Sequence, residues 1–176
     1  MAYVSSIPAD SESVWAIMSR YMDQTKPLFA LTQQVMRAGE ASFTDAEREL
    51  LAAVTSLSNA CNYCYGVHRS TAESFGVDAA LLEAIAHDVD GAPVDDKLKP
   101  VIKYVQKLTA SPSKVTQADA DRIFDAGYSE NDFHYVVMVC ALFNFFNRLI
   151  DGYGVQNTPD YRANHGKELA DHGYQL

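Results

Sequence analysis

Residues 44 to 59 read TDAERELLAAVTSLSN, and no other stretch restricts the fold class so firmly. Thr44 and Glu47 stand at capping-box spacing, at which each side chain can satisfy the other residue's free backbone amide. Behind them Leu50, Leu51, Val54 and Leu57 fall on one helical face. This pattern predicts a helix over 45–58. Similar punctuation predicts helices at 10–22, 27–38, 78–89, 95–110 and 116–126, with breaks at Pro27, Gly39, Gly91-Ala92-Pro93 and Ser111-Pro112. Strand-like alternation is almost absent. The expectation is an all-α protein, a compact helical bundle. Its 176 residues, 48% of them hydrophobic, suffice for one core and one domain spanning 1–176.

Ser129 and Asp132 mark another helix start, opening DFHYVVMVCALFNFFNRLIDGYG, the longest and most apolar segment. Phe133, Val136, Val137, Val139, Leu142, Phe143, Phe146 and Leu149 surround nearly its whole circumference, so it needs burial on most sides. A chain this small can hardly supply that burial alone, which predicts a homo-oligomer. Setting Thr44 over Ser129 pairs Val54 with Val139, Leu57 with Leu142 and Asn59 with Asn144, a faint internal repeat. The tail after Gly154 is polar, rich in Asn, His and Gly, and its last residues are expected to be mobile or to cover a neighbour.

Charge and targeting signals narrow the functional classes. Fourteen basic against 23 acidic residues give a net charge of -9 with no basic stripe, so nucleic acid is not an expected partner. The first twenty residues mix Asp10, Glu12 and Arg20 among apolar positions, unlike a signal peptide. The densest apolar run, Val136 to Phe143, is too short to span a bilayer. A soluble, cytoplasmic protein with no membrane partner is expected.

The chemistry concentrates in ACNYCYGVH, residues 60–68. After a joint at Asn59 or Ala60, a second helix is expected to run to Gly76, with Cys61 in its first turn. With Cys140 there are three cysteines, too few for a disulfide scaffold, and a close pair in a reducing compartment is more often catalytic or metal-binding. Haem attachment needs histidine directly after the second cysteine, where Tyr65 stands. Zinc could use Cys61, Cys64 and His68, with a fourth ligand from His87, His134 or Cys140, and a zinc-stabilised structural oligomer stays open as an alternative. A thioredoxin-like frame needs a strand feeding the motif, and none is available.

At about 100° per residue, Cys61, Cys64 and His68 fall within an arc of roughly 60° and can share a pocket. The helix dipole near Cys61 and the imidazole one turn beyond Cys64 are local reasons for a thiol to ionise. Glu49 lies on the preceding helix, beside an Arg48 expected to face solvent. An antiparallel hairpin would bring its carboxylate to the thiols, where it could pass protons together with His68. His134 is expected to cap or to join the core, and Cys140 to be core. Tyr63 and Tyr65 are left to either a pocket or an interface.

ERELLAAVTSLSNACNYCYGVHRSTAESFGV, residues 47–77, resembles the core of the carboxymuconolactone decarboxylase-like superfamily, specifically its alkylhydroperoxidase D-like, peroxidase-related branch. The pattern is a glutamate twelve positions before C-x-x-C-x-x-x-H, met by Glu49, Cys61, Cys64 and His68 within a motif core of about 44–77. FNFFNRLIDGYGV is similar to the far end of the peroxidase-related members. The resemblance implies an all-helical oligomer with the C-x-x-C at the start of a central helix. It makes Cys64 the peroxidatic thiolate, Cys61 the residue that resolves its sulfenic acid into a disulfide, and Glu49 with His68 a proton relay. It also implies a hydroperoxide substrate, a lipoylated or thioredoxin-like thiol reductant as partner, and no metal or haem cofactor. Tyr63 departs from the pattern, since some members carry histidine immediately before the second cysteine. The decarboxylase members, lyases that generally do without the cysteine pair, supply the other enzymatic alternative.

Overall fold

Helices in the order α1 (Trp15–Met18), α2 (Met22–Gln33), α3 (Asp45–Ser58), α4 (Asn62–Ser74), α5 (Ala79–His87), α6 (Lys99–Ala110), α7 (Gln117–Asp125), α8 (Glu130–Tyr153) and α9 (Pro159–His172) build the computed structural model, which describes residues 2–8 and 11–175. A π-helical turn, Gln34–Ala38, extends α2, and a 3₁₀ turn covers Pro112–Lys114. No strand occurs among the described residues. The protein is all-α, as its punctuation predicts.

The central element is α3. Thr44 and Glu47 close the expected capping box at its start, and every residue from Arg48 to Ser56 is buried. It packs against α4, α6 and α8, while α9 lies across the far side of α4. Capping boxes also open α7 and α8, at Thr116/Asp119 and Ser129/Asp132. Asp132 does more than cap, because its other oxygen accepts the Ser42 amide at 2.7 Å and so ties the start of α8 to the approach to α3.

Several expectations change. Position 10 of the expected 10–22 helix lies outside the described residues, and the rest shrinks to α1, whose last carbonyls are capped when Thr25 Oγ1 donates to Met18 O at 2.7 Å. Pro27 does not break the chain. It lies inside α2, where its ring costs one backbone hydrogen bond but keeps a helical φ. Arg48 does not face solvent. It is 4% exposed, donates to the carbonyls of Val35 and Gly39 at 3.1 and 2.8 Å, and lies over the Tyr135 ring. His134 neither caps nor joins the core, since Ser129 and Asp132 do the capping and its side chain is exposed.

The polar tail forms α9, with Thr158 as N-cap and Pro159 in its first turn. Only Gly166 and Leu169 of this helix are buried, too narrow an apolar stripe for periodicity to register. Gly166 is required there, because a Cβ would sit 2.6 Å from Ser70 Cβ and 2.9 Å from the Ser70 and Thr71 backbone.

Long and apolar, α8 has 24 residues and a window of mean hydropathy 1.4, enough by length and composition to cross a membrane despite its short densest run. Val136, Val139, Leu142, Phe143 and Ile150 are nevertheless buried against α3 and its neighbours. Burial is not all round. Phe145 is 50% exposed and Leu149 half-buried, and they adjoin Tyr21 and Leu28 of the α1–α2 segment around a shallow cavity.

Candidate active site

The joint between α3 and α4 sets the site. Ala60 takes φ 56, a left-handed conformation that reverses the chain in one residue, and the Cys61 amide then donates to Ser56 O at 3.0 Å. Cys61 is thereby the N-cap of α4, with Cys64 and His68 on the following turns. All three are buried, at 0%, 4% and 6% exposure. Cys64 and His68 line a cavity of about 630 Å³ whose walls include Trp15, Phe29, Phe146 and Tyr161. Cys61 lies behind Cys64, away from that cavity, and both cysteines are free thiols.

Antiparallel packing of α3 on α4 brings Glu49 to His68, not to the thiols as expected. His68 Nδ1 donates to Glu49 Oε2 at 2.7 Å, and Phe143 of α8 holds the imidazole edge-on at 4.3 Å between ring centroids. Glu49 is fully buried, and its other oxygen is not free. Oε1 accepts from Arg37 Nη2 and from the Tyr174 hydroxyl, each at 2.7 Å. The π-turn delivers Arg37, while Gln33 Oε1 accepts the Tyr174 amide at 2.7 Å and fixes the segment that brings in the phenol. Arg37 also donates to Leu169 O at 3.1 Å and lies between the rings of Phe75 and Tyr174. Four elements thus converge on one carboxylate.

The electrostatics follow from these contacts. Burial pushes the Glu49 carboxyl up, but the His68 hydrogen bond, the charge of His68 when protonated, the Arg37 charge and the Tyr174 hydroxyl outweigh it and hold Glu49 below its ordinary value. Burial works against the charge on Arg37, and Glu49 more than compensates. Cys64 goes the other way. Its hydrogen bond with Cys61 and its burial hold the thiol well above the ordinary value, against a smaller opposing pull from Asn147. The expectation of a thiol already eased toward ionisation does not hold for Cys64, from which a base must take the proton.

Asn147 belongs to a buried cluster beneath the motif. Its amide donates to Ser56 Oγ at 3.0 Å, and Asn59 donates to the Asn144 and Asn147 carbonyl oxygens at 3.0 and 2.8 Å. Tyr63, between the two cysteines, lines the cavity. Its hydroxyl accepts the Val14 amide at 3.0 Å and donates to Tyr161 at 3.2 Å, and burial first, then Tyr161, pushes its pKa up. Its hydroxyl thereby ties α4 to the start of α1 and to α9. Of the fourth ligands considered for zinc, His87 and His134 are exposed and Cys140 is core, beside Thr109 and Asn144.

Sequence reasoning missed Arg37 and Tyr174. An arginine at the end of a polar helix and a tyrosine in a polar tail carry no periodic signal, and only the fold brings them to Glu49.

Residues 25–93 match the model of the carboxymuconolactone decarboxylase family, a segment that contains Arg37, Glu49, both cysteines of the pair and His68. Two solved structures share the fold at a TM-score of 0.77. One, described as an alkylhydroperoxidase AhpD core and uncharacterized peroxidase-related protein from Ralstonia eutropha JMP134, is 20% identical over 88% of this chain and 80% of that one. The other, an uncharacterized peroxidase-related protein from Silicibacter sp. TM1040, is 23% identical over 85% and 78%. A protein of unknown function from Agrobacterium tumefaciens is similar at a TM-score of 0.67 and 16% identity, over 84% of this chain and 98% of its own. No functionally curated protein matches the sequence.

Proposed function

We propose that this chain, which belongs by its fold and its matched segment to the alkylhydroperoxidase D-like, carboxymuconolactone decarboxylase-like superfamily, is a thiol-dependent peroxidase. One observation carries the reading: a buried dithiol whose Cys64 lines an aromatic-rich cavity together with an imidazole whose Nδ1 is committed to a buried carboxylate. That bond requires a proton on Nδ1, so Nε2 is the nitrogen through which the ring can exchange a proton with Cys64.

Three steps follow. His68 takes the Cys64 proton, and the thiolate attacks one peroxide oxygen of ROOH, which breaks the O–O bond, oxidises the sulfur by two electrons and releases the alkoxide. The alkoxide leaves as ROH once His68 returns the proton, and Cys64 becomes a sulfenic acid. Cys61 then attacks that sulfur, expels water and closes the disulfide. Cys61 suits this role because it contacts the Cys64 thiol and is shielded from the cavity. Two electrons from an external dithiol, of lipoyl or thioredoxin-like chemistry, reopen the pair. The cavity volume favours an organic hydroperoxide with an apolar body over hydrogen peroxide alone. We further propose a homo-oligomer in which the strip at Tyr21, Phe145 and Leu149 is covered by a second copy.

Mass spectrometry after one equivalent of cumene hydroperoxide tests the chemistry. The expected product is the protein lighter by two hydrogens, with Cys61 joined to Cys64; this product is absent in Cys64→Ser and forms more slowly in His68→Ala. A pair that stays reduced would refute the peroxidase reading.

A further inference from the structure

Glu49 has one negative charge and two candidate partners for it. Arg37 is permanently positive, whereas His68 is positive only when protonated. If the imidazole is neutral, Arg37 and Glu49 cancel. If it is protonated, the cluster holds a net positive charge under an aromatic cavity, with Phe143 edge-on to the ring, an environment that penalises uncompensated charge.

The other charged and titratable groups around the cluster leave this balance in place. Asp45 of α3 lies 3.8 Å from Arg37 Nε but is partly solvated. From α4 comes Cys64, held as a thiol, and from α8 come Phe143, edge-on to the ring, and Asp151, an anion that acts on Cys64 and is the smallest of the influences on it. The α9 residues His165, Glu168 and His172 line the outer cavity, and what reaches Arg37 from that helix is the Leu169 carbonyl. Geometry supports the same allocation. Arg37 and Tyr174 both occupy Oε1, so Oε2 is left to Nδ1, and the Tyr174 hydroxyl is 3.4 Å from Nδ1 as well.

We propose that Arg37 and Tyr174 are positioning residues that hold His68 as the neutral, Nδ1-protonated tautomer: by taking Oε1 they neutralise and orient Glu49, and Nε2 keeps its lone pair for the Cys64 proton. This rests on the reading of His68 as the proton-handling group, and it adds two residues from outside the motif to the site.

The test is ¹⁵N NMR of histidine-labelled protein at pH 7, where ring nitrogen shifts and two-bond couplings distinguish imidazolium from each neutral tautomer. The unsubstituted protein is expected to show His68 neutral with Nδ1 protonated. In Arg37→Met, which keeps the aliphatic stem, Glu49 loses its permanent counter-charge and His68 is expected to become imidazolium. Arg37→Lys is expected to restore the neutral ring. An imidazolium in the unsubstituted protein, or a folded Arg37→Met with an unchanged spectrum, overturns the proposal. Should Arg37→Met fail to fold, Tyr174→Phe removes one of the two donors on Oε1, leaves Glu49 the stronger acceptor for the ring proton and is expected to raise the imidazolium population, so an unchanged spectrum there is equally fatal. None of these readings requires peroxide. Predicted spectra in a protein whose cysteines resist oxidation would keep this inference and discard the peroxidase, and the reverse pattern would do the opposite.

Discussion

Replacing Asp132 by asparagine tests how the two central helices are held in register. Burial pushes this carboxyl up, but the amides of Ser42 and Ser129 and the Ser129 hydroxyl bring it down to about 2 from an ordinary 3.8. The charged form is thus favoured in the folded state, by about 2.4 kcal/mol at 1.36 kcal/mol per pKa unit. Because the folded value is depressed, this stabilisation is complete above about pH 4 and disappears as the pH falls through about 2. Asparagine keeps the shape but turns an amide group toward donors, so Asp132→Asn should lose most of that energy at pH 7, or about 5–10 °C in Tm for a chain of this length. Urea unfolding followed by circular dichroism at pH 7, 4 and 2.5 supplies the measurement. The gap between parent and variant should narrow steadily on acidification, while Glu49 contributes an acid-labile background common to both. A gap under about 0.5 kcal/mol at pH 7, or one that is the same at every pH, would show that the carboxylate does not clamp α8 to α3.

Other outcomes follow from the same geometry. Gly166→Ala should cost about 1–3 kcal/mol, since its Cβ would press on the α4 backbone, and should slow Cys64 oxidation by displacing the Leu169 and Tyr174 contacts; a variant with parental stability and rate contradicts the tight crossing. Gly66→Ala should be milder, because it meets only the Arg162 side chain. Phe145→Glu should shift sedimentation from an oligomer to a smaller species without unfolding the chain, and a monomeric parent protein would remove the proposed interface. Cys140→Ala should leave peroxide-driven oxidation of the other two cysteines at the parental rate, and a marked slowing would mean that this buried thiol takes part.

Much of the fold was legible because it rests on local chemistry. Thr44/Glu47 and Ser129/Asp132 announce their helices through caps, and Leu50, Val54 and Leu57 announce a face, all within a few residues of chain. The cysteine pair and His68 could be placed on one helix for the same reason. What escaped depends on long-range contacts. Arg48 reads as a surface cation until the π-turn wraps back and offers it two carbonyls. The segment after Gly154 reads as a polar tail because its helix buries only Gly166 and Leu169. Arg37 and Tyr174 are 137 positions apart and meet only over Glu49.

Ala60 has one more consequence. Glycine would adopt the left-handed bend freely, whereas alanine accepts a strain of about 1–2 kcal/mol to stand there. In return the elbow has few alternative shapes, and the two arms it joins cannot scissor. The spacing between the acid row and the sulfur row is therefore machined into the backbone before any guest arrives, and loosening the elbow with Ala60→Gly would trade that alignment for a more relaxed chain.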